Sequence, residues 1–342
     1  MTQLGSLRKI DTNNFSSGNM VPTKIPLIQY GRDLVLYLRG TLTTGTTPTV
    51  AQDSPFSLLQ AVDLQAVPSA SGGVAGSLHR MTGMDMYVLN ALETGNFGFL
   101  QRHGLSNATP YAFKGMIVIP FTDFPEDSLN LLPHPAFSNL ELDVTWATLA
   151  ALGTNIGAAF TVAPTLEIYE TTRLNPPTAT PNIMKTVVKT QALNASQDNI
   201  IDLKTGLPIQ EVLIQIQDNG VRSDALCTSV SLIENDTISH VPPIPWDVLQ
   251  AYTKFRGANV GPGDVGFGYP FVETGDNNTA TAIGLGVSNP ALITGYNFLD
   301  LLDIEGAPIP TANMDSFKLH LLCGTSAGGS PTARVVLRQR VG

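Results

Sequence analysis

Charge is scarce in this chain: Asp, Glu, Lys and Arg make up 14% of its 342 residues, against roughly 25% in an ordinary globular protein. The 19 basic residues face 28 acidic ones, a net −9, so the surface is not built to wrap a phosphate backbone, and no specific nucleic-acid binding is expected. Two cysteines, Cys227 and Cys323, are too few for a disulfide scaffold or a four-cysteine zinc site, and both read as small apolar core residues. Five histidines are scattered at 79, 103, 134, 240 and 320, a spacing that offers no metal site, and no cofactor is expected. No uninterrupted apolar stretch of ~18 residues exists, and the first twenty residues lack the apolar run of a signal peptide. Disorder is excluded too, because 43% of the residues are hydrophobic.

What is present alternates with period two. Leu34-Val35-Leu36-Tyr37-Leu38, Leu140-Glu141-Leu142-Asp143-Val144, Glu211-Val212-Leu213-Ile214-Gln215 and Ala333-Arg334-Val335-Val336-Leu337 are β-branched or aliphatic runs bounded by turn residues. Helix signals are few. The best are Met84 to Glu93 and Pro245 to Arg256, the latter with Pro245 near its first turn and Gly257 as a stop.

Near the middle, Pro176, Pro177 and Pro181 block ladder hydrogen bonds and favour an extended connector over residues 176–182. The pattern repeats across it. Asp33–Leu36 answers to Glu211–Ile214, Ala61–Leu64 to Ser229–Leu232, and Leu140–Val144 to Phe317–Leu321, and each half closes on Pro-Thr-x-x-[Ile/Val] at Pro164 and Pro331. Strand-length runs, long crossovers and sparse helices predict an all-β protein of two tandem eight-stranded jelly-roll sandwiches with a few short helices in loops. The expected division is an N-terminal arm over 1–24, a first jelly roll over 25–175, the linker, and a second jelly roll over 183–342.

The strand from Gly31 to Leu42, Pro55-Phe56-Ser57-Leu58-Leu59, Ile119-Pro120-Phe121, the Phe137–Leu142 run and the duplicated layout together resemble the double jelly-roll major capsid proteins of tailless, membrane-containing icosahedral viruses, the lineage of adenovirus hexon. The resemblance covers nearly the whole chain, though it is one of pattern and not of a signature motif. It implies a homotrimer forming a pseudo-hexagonal capsomer that tiles a virion shell above an internal membrane, with minor capsid or penton proteins as further partners. The chain would be made in the host cytoplasm and would be no enzyme. The resemblance also places the N-terminal arm at the inner face, so Arg8 and Lys9 are expected near lipid headgroups or an internal partner, with a frayed terminus as the plainer alternative.

Motifs that would carry chemistry fare poorly. Gly261-x-Gly263-x-x-Gly266 follows a helix candidate and so has strand and helix on the wrong sides for a dinucleotide site. Gly324-Thr325-Ser326-Ala327-Gly328 fits the nucleophile-elbow string, but no histidine follows it, and it reads as a hairpin between the last two strands. Asp300, Asp303 and Glu305 fit a plain surface loop better than a calcium site. Glu141 and Asp143 share one strand face opposite Leu140, Leu142, Val144 and Trp146. A glycosidase would need such a pair in a cleft, and this keeps a carbohydrate-active or carbohydrate-binding double sandwich as the alternative function. Arg334, Arg338 and Arg340 form a basic ribbon on the last strand, open to solvent, to phosphate or to an acidic neighbour such as Glu141 and Asp143 across a subunit boundary. A trimeric spike is a second rival, weakened because two similar halves leave no separate tip or attachment segment.

Overall fold

The computed structural model describes residues 6–43, 49–69, 75–94, 100–101, 110–121, 131–154, 159–173, 183–257 and 294–341. The chain divides into two compact units, with the boundary between Met184 and Lys185.

The first unit carries eight principal strands: β1 (Ser6–Asn14), β2 (Met20–Lys24), β3 (Tyr30–Thr43), β4 (Leu59–Pro68), β5 (Gly76–Met81), β6 (Pro110–Pro120), β7 (Phe137–Trp146) and β8 (Phe160–Arg173). They form two antiparallel sheets in the orders β1-β8-β3-β6 and β2-β7-β4-β5. Only β4 and β5 follow one another within a sheet; every other step crosses to the opposite sheet, which is jelly-roll topology. Alternation produces this arrangement directly. Leu34, Leu36 and Leu38 of β3 and Leu140, Leu142 and Val144 of β7 are all at most 1% exposed, while the residues between them are not buried. Each fully buried Leu contributes about 1.5–3 kcal/mol, so a one-residue slip of register would expose a whole row. Helix α1 (Gly83–Thr94) follows β5 and packs on β6.

The second unit repeats the plan with β9 (Ile183–Ala192), β10 (Asp198–Asp202), β11 (Ile209–Asp218), β12 (Cys227–Glu234), β13 (Ile238–Pro245), β14 (Tyr296–Asp300), β15 (Phe317–Cys323) and β16 (Thr332–Val341). The sheet orders are β9-β16-β11-β14 and β10-β15-β12-β13, the same as in the first unit. Val212, Ile214 and Ile216 of β11 meet Leu319 and Leu321 of β15 in one core. Helix α2 (Trp246–Gly257) takes the place of α1, and a short α3 (Leu301–Glu305) follows β14. All the matched segments in the two halves fall on topologically equivalent strands.

Three expectations need correction. No arm spans residues 1–24: Ser6–Asn14 pairs with β8 from Ser6↔Thr172 to Asn14↔Thr165, and Met20–Lys24 pairs with β7. Weak alternation had hidden both strands, since β1 buries no large apolar side chain and β2 is an edge strand. The glycine-rich segment after Cys323 is no hairpin, because β15 and β16 lie in different sheets and the segment crosses between them. Asp300, Asp303 and Glu305 belong to a helix and its cap: Asp300 Oδ1 accepts from Leu302 N–H at 3.1 Å and Asp303 N–H at 3.3 Å. The linker over 176–182 and the Gly261–Gly266 string lie outside the described residues.

Candidate functional site

Buried charge is concentrated on the two sheets that contain the first and last strands of each unit. In the first unit, Glu170 of β8 is 0% exposed. Its Oε2 accepts from Arg8 of β1 at 3.2 Å and 2.8 Å, and its Oε1 lies 3.0 Å from His134 Nε2. That second contact is close enough for charge but is not aligned as a hydrogen bond. His134 Nδ1 sits 3.0 Å from the Pro26 carbonyl oxygen; a carbonyl only accepts, so Nδ1 carries a proton. Gly31 makes room for this group, because a Cβ there would come within 2.6 Å of His134 Nε2. On the same strand, Glu167 accepts from Tyr169 Oη at 2.8 Å and pairs with Arg39 at 2.7 Å and Lys9 at 3.3 Å. The Tyr169 hydrogen bond, with help from Lys9 and Arg39, holds the Glu167 carboxyl below its usual range. Arg8 and Lys9 thus fasten β1 to its own sheet.

The basic ribbon of the last strand resolves differently. Arg338 is 4% exposed, stands opposite Glu211 in the β11–β16 register, and donates from Nη1 to Glu211 Oε2 at 2.7 Å. Arg340 donates to Gln210 Oε1 at 2.5 Å. Arg334 is half-buried opposite Gln215. The expectation of a ribbon open to solvent, phosphate or an acidic neighbour is therefore corrected at Arg338 and Arg340: β11 and β16 are buried on both faces for most of their length, and these two arginines answer to their own sheet. An alternating pattern cannot reveal that a sheet's second face is covered.

Glu141 and Asp143 stand as expected on the face of β7 away from the core, both half-buried. Between strands, Asp143 lies opposite Asp63 of β4, and Glu141 lies opposite Lys24 of β2. Asp63 is itself held by Gln65 at 2.6 Å and Ser77 at 2.6 Å. Burial first, then the charges of Glu141 and Asp63, push the Asp143 carboxyl above its usual range. Three carboxylates, Asp63 buried and the other two half-buried, make a crowded acidic patch on this sheet face. Asp63 was missed in the sequence because it sits on another strand and only the register brings it there.

The remaining chemical motifs are structural. Ser326 of the Gly-x-Ser-x-Gly string donates to Asp218 Oδ1 at 2.6 Å, and the Ala327 N–H donates to Asp218 Oδ2 at 2.7 Å. These two donors hold the Asp218 carboxyl below its usual range, and their role is to fasten the crossover to β11. Among the described residues, no three His, Cys, Asp or Glu side chains gather as a metal site would require. Trp146 and Trp246 are core residues, 0% and 2% exposed. Trp146 donates to Asn13 Oδ1 at 2.8 Å and Trp246 to Asp224 Oδ1 at 3.1 Å. Cys227 and Cys323, both free and buried, stand directly opposite one another on β12 and β15.

Two complete jelly rolls in tandem, with no insertion of a third fold among the described residues, define a double jelly-roll protein. This is the fold of viral major capsid proteins. The chain matches the major capsid protein of Sulfolobus turreted icosahedral virus with a TM-score of 0.71 at 13% identity, over 98% of this chain and 96% of that one. It matches the PBCV-1 virus capsid protein with a TM-score of 0.60 at 12% identity, over 98% and 93%. The match to the major capsid protein of bacteriophage PM2 has a TM-score of 0.58 at 12% identity, over 98% and 96%. No protein-family model matches the sequence, and no curated protein matches it. At such identities the likeness is one of fold alone.

Proposed function

We propose that this chain is a structural major capsid protein that forms pseudo-hexagonal homotrimers in the shell of an icosahedral virion with an internal membrane. One observation carries the reading: the described residues form a tandem pair of complete jelly rolls, and 98% of the chain aligns with 96% of the length of major capsid proteins. The physical logic follows from the duplication. Three chains with two similar domains each present six similar sides, so one gene product meets a hexagonal neighbourhood. Scarce charge suits wide subunit interfaces, whose buried centres are depleted of charged residues, while a trimer would carry a net charge of three times −9, enough to oppose unspecific clumping before assembly.

In this reading the chain works in the virion shell after synthesis in the host cytoplasm, beside minor capsid or penton proteins. Membrane contact belongs to the reading through the resemblance and not through Arg8 and Lys9, which are committed to a strand and to Glu170 and Glu167. For contacts between subunits, the half-buried Glu141 and Asp143 are the stronger candidates, and Arg338 is withdrawn because its charge is already matched by Glu211. The carbohydrate-active reading gains nothing from Glu141 and Asp143, whose neighbours across the strands are a third carboxylate and a lysine.

Size-exclusion chromatography with light scattering on the purified chain tests the proposal. The expected species has three times the 36.4 kDa chain mass, about 109 kDa, and forms hexagonal plates or shells when concentrated. A stable monomer at 36.4 kDa overturns it.

A further inference from the structure

The two jelly rolls differ at one equivalent position in a way the duplication makes visible. In the first unit, Trp146 near the end of β7 stands opposite Leu59 at the start of β4. In the second unit the same two places hold Cys323 and Cys227, again in direct register. Both thiols are nearly sealed from solvent, at 4% and 2% exposure. The backbone shows which kind of antiparallel pair this is. The Cys323 N–H donates away from β12, to Gln197 O at 2.9 Å, while the next residue, Gly324, donates to Leu226 O at 2.7 Å. The Cys227–Cys323 pair is therefore the non-hydrogen-bonded kind, in which Cα atoms stand ~4.5 Å apart and side chains approach closely. That spacing lies at the short end of the ~4.4–6.8 Å that disulfides span.

We propose that Cys227 and Cys323 are a disulfide-forming pair, a cross-strand staple that closes the second jelly roll between β12 and β15 when a small-molecule disulfide oxidant reaches it. The chemistry is two thiol–disulfide exchanges. One cysteine thiolate attacks a sulfur of the oxidant RSSR, forming a mixed disulfide and releasing RS⁻; the second cysteine, as its thiolate, then attacks the protein-side sulfur and releases the other RS⁻. In total RSSR and two Cys–SH give Cys–S–S–Cys and two RSH, so two electrons pass to the oxidant and no other reactant is needed. Cys323 is the fitter first nucleophile, because the neighbouring Cys227 thiol, with the Asn199 amide, holds its thiolate at a lower pKa than an ordinary cysteine. Burial protects the pair on the closed fold, so the reaction proceeds through opening of the strand ends next to the β12 bulge between Cys227 and Ser229.

The experiment incubates the full-length chain with oxidised glutathione, in buffer and in urea below the unfolding transition, and follows free thiols, intact mass and melting temperature with and without dithiothreitol. The expected product has lost both free thiols and two hydrogens in mass, runs as a single chain without reductant, and melts on the order of 10 °C higher, as a loop of this length implies. Dithiothreitol reverses the shift, and Cys323→Ala prevents it. The inference is overturned if both thiols survive in urea as well as in buffer, if only chain-to-chain disulfides form, or if the oxidised protein melts no higher than the reduced one. None of these readouts depends on trimer formation, so the staple and the capsid reading stand or fall separately.

Discussion

Replacing Arg338 by Met tests the reading of the second unit's buried charge. The Arg338 and Glu211 side chains are 5% and 8% exposed, and their charged ends meet at 2.7 Å. At an effective dielectric constant near 20 this separation gives an attraction of about 6 kcal/mol. Against it stands a desolvation penalty of several kcal/mol for each ion. Burial, and after it the neighbouring Arg340, pull the Arg338 guanidinium down to about 9, so the site itself opposes the charge that Glu211 pairs with. The two terms nearly cancel for the intact pair, but removing one member leaves the other ion's penalty in place. Arg338→Met and Glu211→Leu are therefore each expected to cost about 3–5 kcal/mol, while the double variant, with apolar groups in both places, returns to within about 1 kcal/mol of the parent. Urea unfolding of all four proteins, closed as a double-mutant cycle, measures the coupling. If Arg338→Met costs less than about 1 kcal/mol, the pair behaves as a solvated surface bridge and the reasoning fails; it fails equally if the double variant loses the sum of the singles.

Two further outcomes follow from the first unit. Arg8→Ala removes two charge-assisted hydrogen bonds from the fully buried Glu170, and a loss of about 2–3 kcal/mol is expected, partly recovered by adding Glu170→Gln; an unchanged melting temperature would mean that β1 is held without this pair. Asp143 has its carboxyl raised above 3.8 by burial, then by Glu141 and Asp63, so the folded chain binds that proton at a pH where the unfolded chain does not. Its charge consequently penalises the fold at neutral pH, and the penalty fades as pH falls through the raised value toward 3.8. Asp143→Asn should melt slightly higher than the parent at neutral pH and show no advantage near 3.8; an advantage that grows on acidification contradicts the assignment.

Most of the fold could be read from period-two alternation, because a row such as Leu34, Leu36 and Leu38 has to face a core whatever surrounds it. The duplication was legible for the same reason. The sequence failed where another force sets the structure. β1 is held by backbone pairing and by Arg8 and Lys9 against Glu170 and Glu167, and its polar run Arg8-Lys9-Ile10-Asp11-Thr12-Asn13 looks like a free arm. Arg338 reads as exposed because alternation identifies one buried face and is silent about a second. The acidic patch was half legible: Glu141 and Asp143 are two apart on one strand, but Asp63 joins them only through the β4–β7 register. The cysteine pair, 96 positions apart in the sequence, could not be seen at all until β12 and β15 were known to be neighbours.

The two units also show what duplication has retained and what it has released. Equivalent core rows stay apolar and buried, Leu140, Leu142 and Val144 answering to Phe317, Leu319 and Leu321. The outward residues between them do not keep even the sign of their charge: Glu141 answers to Lys318, and the acid Asp143 to a histidine, His320. Their local partners change as well. Glu141 stands opposite Lys24, and Lys318 stands opposite Asp202, so the cross-strand pair is kept with its ends exchanged. Opposite charges across neighbouring strands contribute roughly 0.2–1 kcal/mol whichever strand bears which sign, so each sheet tolerates the exchange. An outside neighbour does not, since it meets an acid on one domain and a base at the same place on the other. In the proposed capsomer, two such domains supply the equal outlines a hexagon needs while remaining chemically distinct to whatever touches them. A single jelly roll repeated six times would have equal outlines but no means of telling alternate sides apart.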